Sequence, residues 1–152
     1  LINKELIVLD SELKTRDEII EVLAKKALKA GYISNLNEYI DAVKKRESEF
    51  STAVGYGVSI PHGKSSAVNR AFIGFFRCKE EIEWEKDQKE KVRLVFLLGV
   101  PESKKDTLHL KILAQISRKL MDEEFREELI CNDKEKIYEM LNEIAKNILL
   151  EK

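Results

Sequence analysis

The run from Val92 to Val100 constrains this chain more than any other stretch. Val95, Phe96, Leu97 and Leu98 are consecutive, and Pro101 ends the run. A strand that faces water on one side alternates polar and apolar residues. A run without alternation is one buried on both faces. Shorter apolar runs at Leu6 to Leu9 and Ala71 to Phe76 also read as strands. Val58 and Ile60 read as the end of a half-buried one, and Pro61, lacking an amide hydrogen, is expected to stop its ladder. Ile82, Trp84 and the polar stretch from Glu85 to Lys91 read as a ribbon and an exposed turn.

Helical spacing fills the rest. Thr15-Arg16-Asp17-Glu18 has the form of a capping box, followed by Ile19, Ile20, Leu23, Ala24, Ala27 and Leu28, with Gly31 as the stop. A second helix runs from about Leu36 to Glu49, with Tyr39, Ile40 and Val43 as its stripe. A third covers Lys104 to Leu120, with Ile112, Leu113, Ile116 and Leu120 facing the core. Two more, Asp122 to Ile130 and Asp133 to about Leu149, close the chain with Asp122 and Asp133 as N-caps. Without repeats, low-complexity tracts or a linker, residues 1–152 read as a single domain.

Composition excludes several classes. With 36% charged and 43% hydrophobic residues the chain reads as globular and not disordered. A formal net charge of −1 and no long basic stretch argue against nucleic acid or a membrane surface. No apolar run approaches the ~20 residues that span a bilayer. There is no signal-peptide pattern at the start, and a first residue of Leu1 and not Met suggests a start inside a longer polypeptide. Cys78 and Cys131 are far apart and in no paired motif, as expected of two reduced structural thiols in a cytoplasmic protein.

The chemistry concentrates in Gly55-Tyr56-Gly57-Val58-Ser59-Ile60-Pro61-His62-Gly63-Lys64. Gly55 and Gly57 bracket Tyr56 and suggest a tight turn or bulge. His62 is expected on a turn past the strand, open to solvent. Gly63 has no side chain to block a ligand, and Lys64 adds positive charge. A neutral imidazole so placed is a nucleophile suited to a small anion such as a phosphoryl group, although a histidine at a strand end is also a common structural residue. Arg46 falls on the buried side of the second helix or at its edge, so it needs an anion or a route to water. It serves the site, snorkels, or pairs with Glu47 or Glu49. His109 lies in or near the first turn of the third helix, where free N–H groups favour anions. It either meets a phosphoryl group held at His62 or is a core histidine bonded to a carbonyl.

Arg46-Glu47, Ser51-Thr52, Gly55, Gly57 to Lys64 and Leu108-His109-Leu110 together resemble the enzyme IIA domains of the bacterial phosphoenolpyruvate-dependent sugar phosphotransferase system, fructose/mannitol type, nitrogen-related members included. The resemblance spans essentially the whole chain. It implies an α/β single domain with a mixed, mostly parallel sheet of about five strands and helices on both faces. By the same resemblance His62 is the phosphorylated histidine, taking phosphoryl from the phosphocarrier protein HPr and passing it to a cysteine of an enzyme IIB, which stands alone or within a IIBC membrane permease. Arg46 and His109 match residues that hold the phosphoryl group. Ser59 stands where the family often has alanine.

Phosphoryl transfer needs in-line placement and stabilised negative charge. The resemblance makes Nε2 of His62 the attacking atom, so Nδ1 must carry the proton and donate to a carbonyl or carboxylate. Arg46 would pair with phosphoryl oxygens, His109 and backbone N–H groups near Gly63 would complete the cradle, and Thr52 or Ser51 would add a hydroxyl. No cofactor or metal is implied, since two histidines without a carboxylate cluster make a poor metal site. A shallow docking surface with an apolar centre at Ile60 or Tyr56 is expected. The competing readings are a regulatory member of the same family, whose phosphorylation controls partner binding, and a binding domain without phosphoryl chemistry.

Overall fold

The computed structural model describes residues 1–85, 90–102 and 106–150. Its centre is β6 (Lys91–Pro101), whose residues from Leu94 to Pro101 are all buried. β6 lies antiparallel to β5 (Phe72–Glu83), which lies parallel to β1 (Ile7–Ser11). On its other side β6 pairs in parallel with β3 (Val58–Ser59) and β4 (His62–Ser65), and β3 pairs antiparallel with β2 (Ala53–Gly55). The sheet is therefore mixed, with strand order β1-β5-β6-β3-β2 and β4 also on β6.

The sequence reading of a ladder stopped by Pro61 needs correction. β3 and β4 run along the same edge of β6 in one register, Ser59 opposite Val95 and His62 opposite Leu98. Proline lacks a donor but keeps its acceptor. The N–H of Leu98 donates to the carbonyl of Pro61 at 3.0 Å, so pairing resumes after the interruption. His62 consequently opens a strand and does not sit on a turn.

Helices cover both faces. α1 (Arg16–Lys29) and α2 (Leu36–Glu49) pack on one side with Phe72, Phe76, Val95 and Leu97. α3 (Asp106–Leu120), α4 (Glu123–Cys131) and α5 (Lys134–Leu150) pack on the other with Phe75, Phe96 and Leu98. The N-cap Thr15 accepts the N–H of Glu18 and donates to its carboxylate, closing α1 as its sequence suggests. The expected start of the third helix at Lys104 and the exposed turn over 86–89 lie outside the described residues. Among the described residues no helix is long and apolar enough to cross a membrane.

Two features seat α2 against β4. The hydroxyl of fully buried Tyr39 donates to the carbonyl of Leu98 at 2.7 Å. A Cβ at Gly63 would come within 2.9 Å of Val43 Cγ2 and 3.3 Å of the Tyr39 ring. The missing side chain of Gly63 thus admits the helix, not a ligand approaching the backbone, which corrects the sequence reading. Replacing Gly63 by alanine should push α2 outwards and cost about 1–3 kcal/mol, a cost typical of overpacking, measurable as a lower midpoint in urea.

Candidate functional site

Three elements bring the chemistry together. β4 supplies His62, α2 supplies Arg46 and Glu47 in its last turns, and α3 supplies His109 in its first turn. The rings of His62 and His109 lie 4.5 Å apart between centroids, tilted by 46°. The two histidines of the chain, 47 positions apart in sequence, are in contact.

Nδ1 of His62 lies 2.9 Å from the carbonyl oxygen of Ile60. A carbonyl only accepts, so Nδ1 carries the hydrogen and the lone pair of the neutral ring is on Nε2. His62 retains 8% exposure, so it is nearly enclosed and not open to solvent as its sequence context suggests. The enclosure follows from its place at the start of β4, paired with buried β6 and covered by α2.

Enclosure also decides its charge. Burial is the largest influence and lowers the pKa of His62 below the ordinary imidazole value. The hydrogen bond to Ile60 and the charge of Glu47 act to raise it, while the charge of Arg46 acts to lower it. The net result is a ring that is neutral, and therefore nucleophilic, at pH 7.

Arg46 is half-buried at the edge of α2, and its Nη1 donates to the carbonyl of Phe50 at 2.7 Å. That bond uses one of five guanidinium donors and holds the group at the end of the helix nearest the histidines. Its neighbour Glu47 is 3% exposed. One Glu47 oxygen accepts the N–H of Thr52 at 2.9 Å and the other accepts the Thr52 hydroxyl. Since a hydroxyl has one hydrogen, Thr52 in this arrangement donates to Glu47 and not to a phosphoryl group, contrary to its expected part. Ser51 accepts the N–H of Ala53 at 3.2 Å and shapes the same turn.

The sequence reading missed the role of Glu47. The signal was there: Glu47 follows Val43 by four positions and shares the apolar stripe of α2 with Tyr39. A carboxylate in a buried row must find donors. The part of Ile60 was also missed, because no side-chain pattern reports where a carbonyl points.

The turn before β3 has positive φ at Gly55, Tyr56 and Gly57 in succession, at 91°, 57° and 74°. Glycine adopts that region without strain at two of the three positions. The exposed ring of Tyr56 is covered by the Arg126 guanidinium from α4, 4.2 Å from its centroid. A separate cleft of about 1020 Å3 lies between the start of α1, the end of α2 and the end of β5, and it includes Glu47 but neither histidine. Among the described residues no group of three histidine, cysteine or acidic side chains could hold a metal ion.

Residues 1–144 match the family described as "Phosphoenolpyruvate-dependent sugar phosphotransferase system, EIIA 2". The chain belongs to that EIIA family. It is 34% identical to a fructose-specific EIIA component of Haloferax volcanii over 93% of this chain and 92% of that protein. It is 38% identical to a nitrogen regulatory protein of Bradyrhizobium diazoefficiens over 80% of each. In structure it is similar to the nitrogen regulatory protein IIA-Ntr of Neisseria meningitidis, with a TM-score of 0.81, 26% identity, and coverage of 92% of this chain and 95% of that one. In two larger EIIABC relatives the matched stretch is only 19% and 22% of the whole. The EIIA domain is thus a phosphoryl-carrier type whose relatives include both sugar-specific and nitrogen-regulatory proteins.

The lowered pKa of His62 has a signed consequence for stability. The unfolded chain binds a proton at this position near ~6.5, whereas the folded EIIA domain binds it only at lower pH. Between those values the unfolded state holds more protons. The stability from neutral His62 is therefore present above ~6.5 and is lost as pH falls towards the folded pKa. Titration of the His62 ring signals by NMR should show protonation below the ordinary histidine range, and H62Q should remove that share of acid sensitivity in thermal melts.

Proposed function

We propose that this EIIA domain carries a phosphoryl group on Nε2 of His62, taken from phosphorylated HPr and handed to a cysteine of an enzyme IIB in sugar uptake. The observation that carries this reading is the Nδ1–H bond to Ile60, which leaves the Nε2 lone pair for attack beside His109 and within the field of Arg46. The family match and the 34% identity to a fructose-specific EIIA component support the same conclusion.

In the first step the Nε2 lone pair bonds to phosphorus while the P–N bond of the phosphocarrier breaks. The electron pair of that bond returns to the donor's ring nitrogen. Nδ1 keeps its proton on the Ile60 carbonyl, so the His62 ring becomes cationic as it gains the phosphoryl group. Arg46 and His109 offset the phosphoryl charge, which is the main demand of a loose transition state. In the second step a IIB thiolate bonds to phosphorus, the Nε2–P bond breaks, and Nε2 regains its pair. No cofactor takes part. The docking surface centres on exposed Leu110, next in the chain to His109, and exposed Phe50, bonded through its carbonyl to Arg46. Ile60 is 2% exposed and belongs to the core, and exposed Tyr56 lies beside Arg126 at the end of β6 away from His62. The reactions take place in the cytoplasm, where HPr and IIB operate.

A second reading is favoured by the 38% identity to a nitrogen regulatory protein. Here the phosphorylated state of His62 governs partner binding and no sugar follows. Phospho-HPr followed by a cognate IIB separates the two. Radiolabel passing to the IIB cysteine supports transport; label retained on His62 supports regulation. A mass spectrum without added phosphate after HPr treatment would remove both.

H62A should fold and take up no phosphate, and uptake at the wild-type rate would place the acceptor elsewhere. R46A should leave His62 modifiable but slow its phosphorylation by about a hundredfold, the usual effect of losing one charge-stabilising donor. Unchanged single-turnover kinetics would remove Arg46 from the site.

A further inference from the structure

We propose that Glu47 is a positioning residue for His62: its enclosed carboxylate holds Thr52, and through Thr52 it sets the segment whose Ile60 carbonyl orients the imidazole. The proposal rests on the phosphoryl-carrier reading of His62 and extends it to a residue that touches neither the ring nor the phosphoryl group.

The contacts form a continuous path. Glu47 accepts both the N–H and the hydroxyl of Thr52. The carbonyl of Thr52 accepts the N–H of Ile60 at 2.9 Å. The carbonyl of Ile60 accepts the Nδ1–H of His62 at 2.9 Å. Successive bonds in this path fall on different peptide units, so no proton passes along it. The coupling is mechanical: α2 grips Thr52, Thr52 registers Ile60, and Ile60 selects the tautomer and aim of the ring.

The charge of Glu47 adds a second element. Enclosing a carboxylate is costly, and a neutral side chain would suffice if fastening a turn were its whole purpose. Among the described residues, the charged and titratable groups that act on or touch the imidazole are Arg46 and Glu47 from α2 and His109 from α3. Arg46 opposes positive charge on the ring and Glu47 favours it. The ring acquires such charge when Nε2 bonds to phosphorus. Arg46 attracts the phosphoryl group at the expense of the ring, and Glu47 offsets that expense.

The test uses E47Q and T52V in the full chain, with three measurements: thermal unfolding, NMR of the His62 ring nitrogens, and the rate of phosphate uptake from phospho-HPr. E47Q keeps the shape of the side chain and removes its charge. It should fold, titrate His62 at lower pH than the wild type, and accept phosphate roughly ten- to hundredfold more slowly, the scale of a misplaced reacting group. T52V keeps the carboxylate and the amide bond but loses the hydroxyl, and should show a smaller slowing with a reduced share of the Nδ1–H tautomer. E47D, which restores the charge, should bring the His62 titration back towards wild type. If E47Q only lowers the melting temperature, with wild-type titration and rate, Glu47 is a fastener and the proposal fails. If E47Q does not fold, T52V with a wild-type tautomer and rate overturns it equally. A wild-type protein that takes no phosphate would sink the carrier reading, while the His62 titration in E47Q would still decide the role of Glu47.

Discussion

A single hydrogen bond, from Nδ1 of His62 to the carbonyl of Ile60, determines what this site can do. It selects one tautomer and places the lone pair on the opposite nitrogen. It is available because Ile60 faces away from β6, its N–H donating to the Thr52 carbonyl on the other side. The Leu98 N–H takes the Pro61 carbonyl in the register that Leu94 and the Gly57 carbonyl set, and the Ile60 carbonyl turns to the imidazole. The strand alternation that turns Ile60 away from β6 is therefore part of the chemistry, since it leaves that carbonyl free of the ladder.

Around this bond the fold creates an enclosed ring with charge on one side. α2 comes close enough to enclose His62 because Gly63 offers no Cβ and Tyr39 anchors the helix to the Leu98 carbonyl. The same approach brings Arg46 and Glu47, of opposite charge and adjacent in sequence, to the site together. Burial favours the neutral imidazole, and the charge of Arg46 acts on the same ring. Enclosure costs access, and the ring of His109 lies directly against that of His62. Such a site favours a partner that docks over a group larger than the phosphate itself.

Membership of the EIIA family accounts for the architecture, and the two kinds of relative share it. On the proposed reading a carrier in a sugar relay and a regulatory member would use the same acceptor and the same stabilising charges. They differ in what docks afterwards, which depends on the surface and not on the core. On the proposed reading the buried network of Glu47, Thr52, Ile60 and His62 would serve either role.

Much of this was readable along the chain, for reasons that are local. The unbroken apolar run at Val92 to Val100 required a covered strand, and the capping box at Thr15 required a helix start, because both depend on neighbours in sequence. The residue types of the site were also legible: His62, Arg46 and His109 stand out against a background of only two histidines. The errors at Pro61, Gly63 and Thr52 share one origin. Each concerned where a group points, and that is set by an element distant in sequence: β6 receives the carbonyl of Pro61, α2 fills the space at Gly63, and the buried row of α2 takes the hydroxyl of Thr52. Periodicity and residue chemistry thus settled which elements form and which side chains can act. The tautomer of His62, its enclosure and the contact between two histidines far apart in the chain came from packing alone, because hydrogen-bond direction and burial are properties of surfaces that exist only once the elements meet.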